Sequence, residues 1–182
     1  EGLQLRSVKL YEAGKLNDSI ERIIHDNVRL PEAALGDLRA QIAACRVGER
    51  RLHELFARYG KETVLACIQE IWDQTEQLTR QAVAHIPNGV YTAESFVDGH
   101  MLQPPRPIPI KVRVEVADDE LTVDYSEISE QLETSLNAGE SGGIAAARVA
   151  FKAITLPHLP VNEGAFRPLR VVLPPGKLLS AQ

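Results

Sequence analysis

The chain has 182 residues, of which 44% are hydrophobic and 25% are charged, so its composition is that of an ordinary globular protein with one domain or two small ones. Its net charge of −5, with no cluster of lysines and arginines, disfavours nucleic acid and anionic membrane surfaces as partners. No apolar run approaches the about 18 residues that a membrane-spanning helix needs, and no signal peptide is visible, so we expect a cytoplasmic protein.

The first third of the chain has signals for a turn and two helices. Residues 3–16 have the pattern of an extended segment with a turn at residues 13–15. Asn17 or Asp18 can cap a first helix that ends near Asp26. Pro31 suits the first turn of a second helix, because that position needs no backbone donor.

The second helix is predicted to run to Tyr59, on an apolar stripe that begins at Leu35. Gly48 weakens it and is a candidate point of division into two segments, and Gly60 is a candidate stop. Its arginines between residues 46 and 58 are interleaved with glutamates, which indicates a solvated face rather than a basic patch. Cys45 and Cys67 lie in helical patterns and are expected to be buried, reduced thiols.

A third helix of about 25 residues has the firmest periodicity of the chain. Trp72 extends its predicted apolar face, which consists of Val64, Ile68, Ile71, Thr75, Leu78, Ala82 and Ile86.

After Pro87 the pattern changes to the period-two alternation of strands. Strands are predicted at 90–97, 110–116, 121–125 and 169–173, with one helix beginning near Ser141. The fold class is therefore α+β. A mainly helical segment of about three helices, residues 1–87, precedes an antiparallel-rich sheet with one packed helix, residues 88–182.

Residues 162–170 form the run Asn-Glu-Gly-Ala-Phe-Arg-Pro-Leu-Arg, which is atypical of a plain strand or helix. An arginine fork there could clamp a carboxylate or a phosphate. The same residues could brace a structural corner, with Glu163 pairing with Arg167 or Arg170. Asn162, Glu163 and Arg167 are therefore candidates for either role.

A second candidate group lies near the start of the second helix. Asp37 and Gln41 are four residues apart and share a helix face, and Arg29 precedes the helix. These three residues could line a pocket or an intersubunit contact, or they could make surface hydrogen bonds and ion pairs.

Other chemical motifs are weak. Asp98-x-His100 is the nearest approach to a metal pair, and a local hydrogen bond explains it as well, so no metal ligand is assigned. The glycine-rich run 137–143 lacks the signature of a nucleotide-binding loop and is interpreted as a surface loop. Nothing here builds a complete catalytic set.

Several short sequence motifs, taken in chain order, resemble those of the hydantoinase B/oxoprolinase family. They are Glu1-Gly2-Leu3, Asn27-Val28-Arg29-x-Pro31-Glu32, Gly36-Asp37-Leu38-x-Ala40-Gln41, Leu121-x-Val123-Asp124-Tyr125, Asn137 and Asn162-Glu163-Gly164-Ala165-Phe166-Arg167-Pro168. Members are several hundred residues long. Because the chain begins without methionine and ends without a polar tail, we expect it to be an internal fragment.

The resemblance implies a parent enzyme that hydrolyses a cyclic amide, hydantoin or 5-oxoproline, or a parent that carboxylates acetone or acetophenone. It implies a small-molecule substrate and a hydantoinase A-type partner subunit or domain that uses ATP. It also implies a divalent metal in the parent, with no cofactor in this fragment. Either the candidate residues lie near the parent site, or the segment is a scaffold or subunit-interface module.

Overall fold

A computed structural model describes residues 3–99 and 104–182. The elements are β1 Tyr11–Glu12, β2 Lys15–Leu16, α1 Asp18–Asn27, α2 Pro31–Tyr59, α3 Lys61–Ala84, β3 Gly89–Val97, β4 Ile108–Ala117, β5 Glu120–Asp124, α4 Glu140–Thr155, a 3₁₀ helix Glu163–Phe166 and β6 Leu169–Val172. This confirms the predicted α+β class, with helices first and the main sheet after them. No helix in the described part of the chain is long and apolar enough to cross a bilayer.

The chain divides into two compact units, residues 1–65 and 66–182. The predicted change from helix to strand near residue 87 agrees with the end of α3 and the start of β3. The proposed segments 1–87 and 88–182 remain a prediction about domains. Glu1, Gly2 and His100, which belong to predicted motifs, lie outside the described residues.

The first unit is built on a small hairpin, α1 and the beginning of α2. Asn17 caps α1, because its side-chain oxygen accepts a hydrogen bond from the backbone N–H of Ile20 at 3.4 Å. Leu35 of α2 is buried. Glu21 of α1 pairs with Arg39 of α2 at 2.7 Å, and this pair joins the two helices.

α2 is one continuous helix of 29 residues, so the division that Gly48 could have caused does not occur. Glycine at position 48 lowers the stability of the helix by about 1 kcal/mol relative to alanine, which is too little to break a helix of this length. Gly60 ends the helix as predicted. Its φ of +83° lies in the region that favours glycine, and its N–H donates to the carbonyl oxygen of Phe56.

The second unit is a four-stranded sheet in the order β3-β4-β5-β6. β3, β4 and β5 are antiparallel neighbours, and β6 pairs in parallel with β5. A parallel pair needs a crossover, which the segment containing α4 supplies. One sheet face packs with α4 and the end of α3 around Phe151, Val83 and Leu121, while β3, a strand of nine residues, lies at an edge of the sheet.

The observed buried face of α3 agrees only in part with the predicted one. Thr75 is buried, as predicted. Ile71 and Leu78 are 52% and 45% exposed, and Thr79 and Val83, which the prediction left out, are buried. The threonines can be buried because each hydroxyl donates to the carbonyl oxygen four residues earlier, at 2.7 Å for Thr75 and 2.8 Å for Thr79.

The two cysteines also differ from the prediction. Cys45 and Cys67 are both free thiols and both exposed. They do lie in helices, as their spacing predicts, but each lies on a helix face that the described residues leave open.

Candidate functional site

Residues 162–168 form a tight corner between α4 and β6, called the corner segment below. Asn162 caps its 3₁₀ helix, accepting a hydrogen bond from the N–H of Ala165 at 3.4 Å. The same side chain donates from Nδ2 to Oγ1 of Thr75 on α3 at 3.0 Å. Asn162 therefore shapes the corner segment and fixes it to α3.

Gly164 lies directly against the backbone of α3. A Cβ atom at this position would stand 2.0 Å from the carbonyl oxygen of Trp72. The next residue, Ala165, is fully buried. Small residues are required here because the two backbones touch, and this explains the Gly-Ala pair in the motif.

Glu163 pairs with Arg148 of α4, not with Arg167 or Arg170 as expected. Two guanidinium nitrogens of Arg148 donate to the two carboxylate oxygens of Glu163, each at 3.1 Å. The Arg148 guanidinium also lies 4.7 Å from the ring centroid of Phe166. Glu163, Arg148 and Phe166 thus fasten the corner segment to α4.

Arg167 fastens the corner segment to α3 through two carboxylates. Its Nη1 lies 2.6 Å from Asp73 and 2.8 Å from Glu76. Glu76 also pairs with Arg80 at 2.9 Å. Arg80 then reaches the start of β5, where it lies 3.2 Å from Glu120. These charges alternate in sign along the surface of the second unit.

The neighbouring opposite charges shift the pKa values of Asp73, Glu76 and Arg167. The hydrogen bond from Arg167 holds the pKa of Asp73 below its usual value. The hydrogen bonds from Arg167 and Arg80 do the same for the pKa of Glu76. In return, the hydrogen bonds to Glu76 and Asp73 raise the pKa of Arg167. All three groups remain charged near neutral pH.

This geometry favours the bracing alternative for the corner segment. The guanidinium of Arg167 already contacts two carboxylates, so a substrate carboxylate or phosphate would have to compete with both. The partners on α3 were missed from sequence. Asp73 and Glu76 have the i, i+3 spacing of one helix face, but no local pattern indicates what that face meets.

Arg29, Asp37 and Gln41 lie in the first unit, and all three are exposed. Within residues 3–99 and 104–182, none of them makes a side-chain hydrogen bond or an ion pair. Gln41 lines a shallow groove of about 690 Å³ between the hairpin and α2. Arg29 precedes the first residue of α2, and Asp37 lies one turn before Gln41.

The described residues do not fit a metal site. Across residues 3–99 and 104–182, no three side chains of His, Cys, Asp or Glu come together as ligands. Asn137, the other motif residue in the glycine-rich run, has a structural role. Its amide accepts from the N–H of Leu132 at 2.8 Å and donates to the carbonyl oxygens of Leu132 and Thr134, which closes the loop.

Comparison with known proteins gives a consistent result. The family model described as hydantoinase B/oxoprolinase matches residues 1–182. The B component of a putative D-/L-hydantoinase of Pseudomonas sp. (strain NS671) is 35% identical over 98% of this chain and 32% of its own length. The crystal structure of the ATP-dependent caprolactamase from Pseudomonas jessenii superposes with a TM-score of 0.85 at 32% identity, over 100% of this chain and 31% of that one.

A nucleotide-free structure of acetone carboxylase has the same fold, with a TM-score of 0.82 at 17% identity over 96% of this chain and 24% of that one. This chain spans about a third or less of the length of these proteins. On the family match over its whole length and on the 35% identity, the chain belongs to the hydantoinase B/oxoprolinase family.

Proposed function

We propose that this chain is the structural framework of a hydantoinase B-type subunit that acts in the ATP-dependent hydrolysis of a cyclic amide. The observation that carries the framework role is the corner segment. Asn162, Glu163, Gly164 and Arg167, the chemically richest residues of the family motif, all face α3 or α4 of the same unit.

The choice of a cyclic amide rests on the relatives. The names of two of them specify a hydantoinase and a caprolactamase, and both substrates contain a ring amide. Hydantoin and 5-oxoproline are the substrates proposed here. An unstrained ring amide is stabilised by the same resonance that makes peptide bonds planar, so coupling to ATP would supply the driving force for opening.

The proposal includes a hydantoinase A-type partner subunit that uses the ATP. Its support is that the hydantoinase relative is itself named as one subunit of an enzyme, together with the resemblance of the motifs. The divalent metal implied for the parent enzyme would be held by residues other than those described here. A cytoplasmic location is part of the proposal, and its support is that the proposed reaction uses ATP.

The experiment uses the full-length subunit that contains this chain, purified with its partner subunit. We expect ring opening of hydantoin or 5-oxoproline, measured as the linear product by chromatography, with one phosphate released for each ring opened. A matched reaction without ATP should give no product. Bicarbonate-dependent consumption of acetone without ring opening would replace this proposal with the carboxylase alternative.

A further inference from the structure

Asn88 is the one asparagine of the chain that a glycine follows. An asparagine in this position can undergo deamidation, in which the backbone nitrogen of the next residue attacks the carbon of the side-chain amide. A side chain on that next residue hinders the attack. Glycine leaves the nitrogen open and lets the backbone reach the dihedral angles that ring closure needs. The pair Asn88-Gly89 therefore has the sequence most prone to this reaction.

The structure places this pair in the connection between α3 and β3. α3 ends at Ala84, and Gly89 is the first residue of β3, where it lies opposite Val116. Asn88 is exposed among the described residues and belongs to neither element. Because a connecting segment opens at a lower free-energy cost than a helix or a sheet, the backbone around Asn88 can reach the geometry of ring closure.

The side-chain amide of Asn88 is held at both ends by Asp118, which lies in the turn between β4 and β5. Its Nδ2 donates to Oδ1 of Asp118 at 3.0 Å, and its Oδ1 accepts from the backbone N–H of Asp118 at 2.9 Å. Asp118 has a φ of +54°, a conformation that aspartate adopts more readily than most residues. The amide of Asn88 cannot rotate toward the nitrogen of Gly89 without breaking these hydrogen bonds.

We propose that Asn88 is a site of spontaneous deamidation and that the carboxylate of Asp118 slows the reaction. The nitrogen of Gly89 loses its proton and forms a bond to Cγ of Asn88, while the bond from Cγ to Nδ2 breaks and ammonia leaves. Water then opens the cyclic imide at either carbonyl carbon, which gives aspartate or isoaspartate at position 88. Nothing is oxidised or reduced. Because the reaction needs neither ATP nor a partner subunit, it is independent of the proposed function.

Either product breaks the contact with the turn between β4 and β5. Aspartate at position 88 has no side-chain N–H to donate, and its carboxylate would face that of Asp118, beside Asp119 and Glu120. Arg80 already contacts Asp119 and Glu120, so this cation is shared among the acids. Isoaspartate also lengthens the main chain by a methylene group immediately before β3. Deamidation should therefore loosen both the turn and the start of β3.

The test follows the full-length subunit during storage in buffer, with peptide mass spectrometry to locate deamidated residues. In the wild type, we expect product at position 88 before any appears at the other asparagines of the chain. Asp118→Gly should raise the rate about fivefold, because it removes one of the two hydrogen bonds and suits the φ of +54°. Asp118→Asn keeps an acceptor for Nδ2 and should keep the slow rate. Glu120→Gln is the matched control, since it changes the neighbouring contact to Arg80 and should leave the rate unchanged.

Gly89→Ala tests the attacking group. A Cβ atom at this position would lie 3.7 Å from the ring of Tyr91, which is an ordinary contact distance, so the fold should accept it. The methyl group should slow deamidation about tenfold or more, because it crowds the attacking nitrogen. The effect on the fold is measured with Asn88→Asp, which should lower the melting temperature. Adding Asp118→Asn to that variant should restore part of the loss, because one of the two facing carboxylates is removed.

The inference is overturned if Asp118→Gly gives no product at position 88 over a time in which an unstructured peptide of the same sequence deamidates. A rate in Asp118→Gly equal to or below that of the wild type would overturn the protective role of the carboxylate. Equal rates for the wild type and Gly89→Ala would overturn the attack by the Gly89 nitrogen. None of these outcomes bears on whether the assembled enzyme opens a cyclic amide.

Discussion

The corner segment and the start of α2 carry the two groups of motif residues, and they are built differently. Asn162, Glu163 and Arg167 each contact a named partner on α3 or α4. Arg29 and Asp37 are exposed and, among residues 3–99 and 104–182, make no side-chain hydrogen bond or ion pair. Contacts within the second unit therefore account for the residue types of the first group.

The difference teaches which residues to test for function. A motif residue whose side chain bonds to partners in its own unit is accounted for by those contacts, whereas a motif residue without such partners needs another reason. The predictions below, in order of decreasing effect on stability, test whether that distinction holds.

Gly164→Ala should have the largest effect. The added methyl group would lie 2.0 Å from the carbonyl oxygen of Trp72, so the corner segment would have to separate from α3. We expect a loss of about 3 kcal/mol or more in the free energy of unfolding, measured by calorimetry of the full-length subunit. Gly36→Ala on α2 is the control. No atom lies within 4 Å of its Cβ position, and alanine there should stabilise the helix by up to about 1 kcal/mol.

Glu76→Gln should destabilise the protein at pH 7 by about 1–2 kcal/mol, because it weakens the contacts to Arg167 and Arg80. The hydrogen bonds from these arginines lower the pKa of Glu76 below its usual 4.5. The stabilisation is therefore present above about pH 4.5 and is lost as the pH falls through the lowered value. Melting temperatures of variant and wild type should converge in acid. Glu70→Gln is the control on the same helix, and it should leave the melting temperature at pH 7 nearly unchanged because Glu70 accepts from the neutral amide of Gln74.

Asn162→Ala should cost about 1 kcal/mol, from the lost cap and the lost hydrogen bond to Thr75. Thr75→Val removes the hydroxyl that accepts the hydrogen bond from Asn162. A double-mutant cycle should give a coupling of about 0.5–1 kcal/mol. Strict additivity of the two changes would contradict the contact that joins the corner segment to α3.

Arg29→Ala should have the smallest effect on stability, because the exposed side chain makes no hydrogen bond or ion pair among the described residues. An unchanged melting temperature with loss of turnover in the assembled enzyme would place Arg29 near the parent site. Arg167→Ala is the comparison, and we expect turnover and melting temperature to fall together. A drop in melting temperature for Arg29→Ala would break the distinction between the two groups.

Local signals in the sequence predicted where the helices and strands lie, but were less reliable for which side chains they bury. Pro31 and Gly60 marked the ends of α2, because proline and glycine act through the backbone alone. The face of α3 was misassigned at Ile71 and Leu78. Apolar spacing indicates a stripe, but burial of Thr79 depends on a hydroxyl bonded to its own helix.

The partners in the corner segment could not be found from local patterns. Glu163 meets Arg148 across 15 positions of chain, and Arg167 meets Asp73 across 94. The parallel pairing of β6 with β5 is also a tertiary property. Residue types in the motif showed that the segment is unusual, and only the fold showed what each of them touches.

The edge position of β3 has a practical consequence for handling the protein. Its nine residues are rich in β-branched and aromatic side chains, Val90 and Phe96 are largely uncovered, and Glu94 is the lone charge in the strand. Such an edge is a template for strand addition between molecules, and a central charge restrains it. We therefore expect the charge of Glu94 to restrain aggregation, and its carboxylate should be kept in any shortened form made for crystallisation.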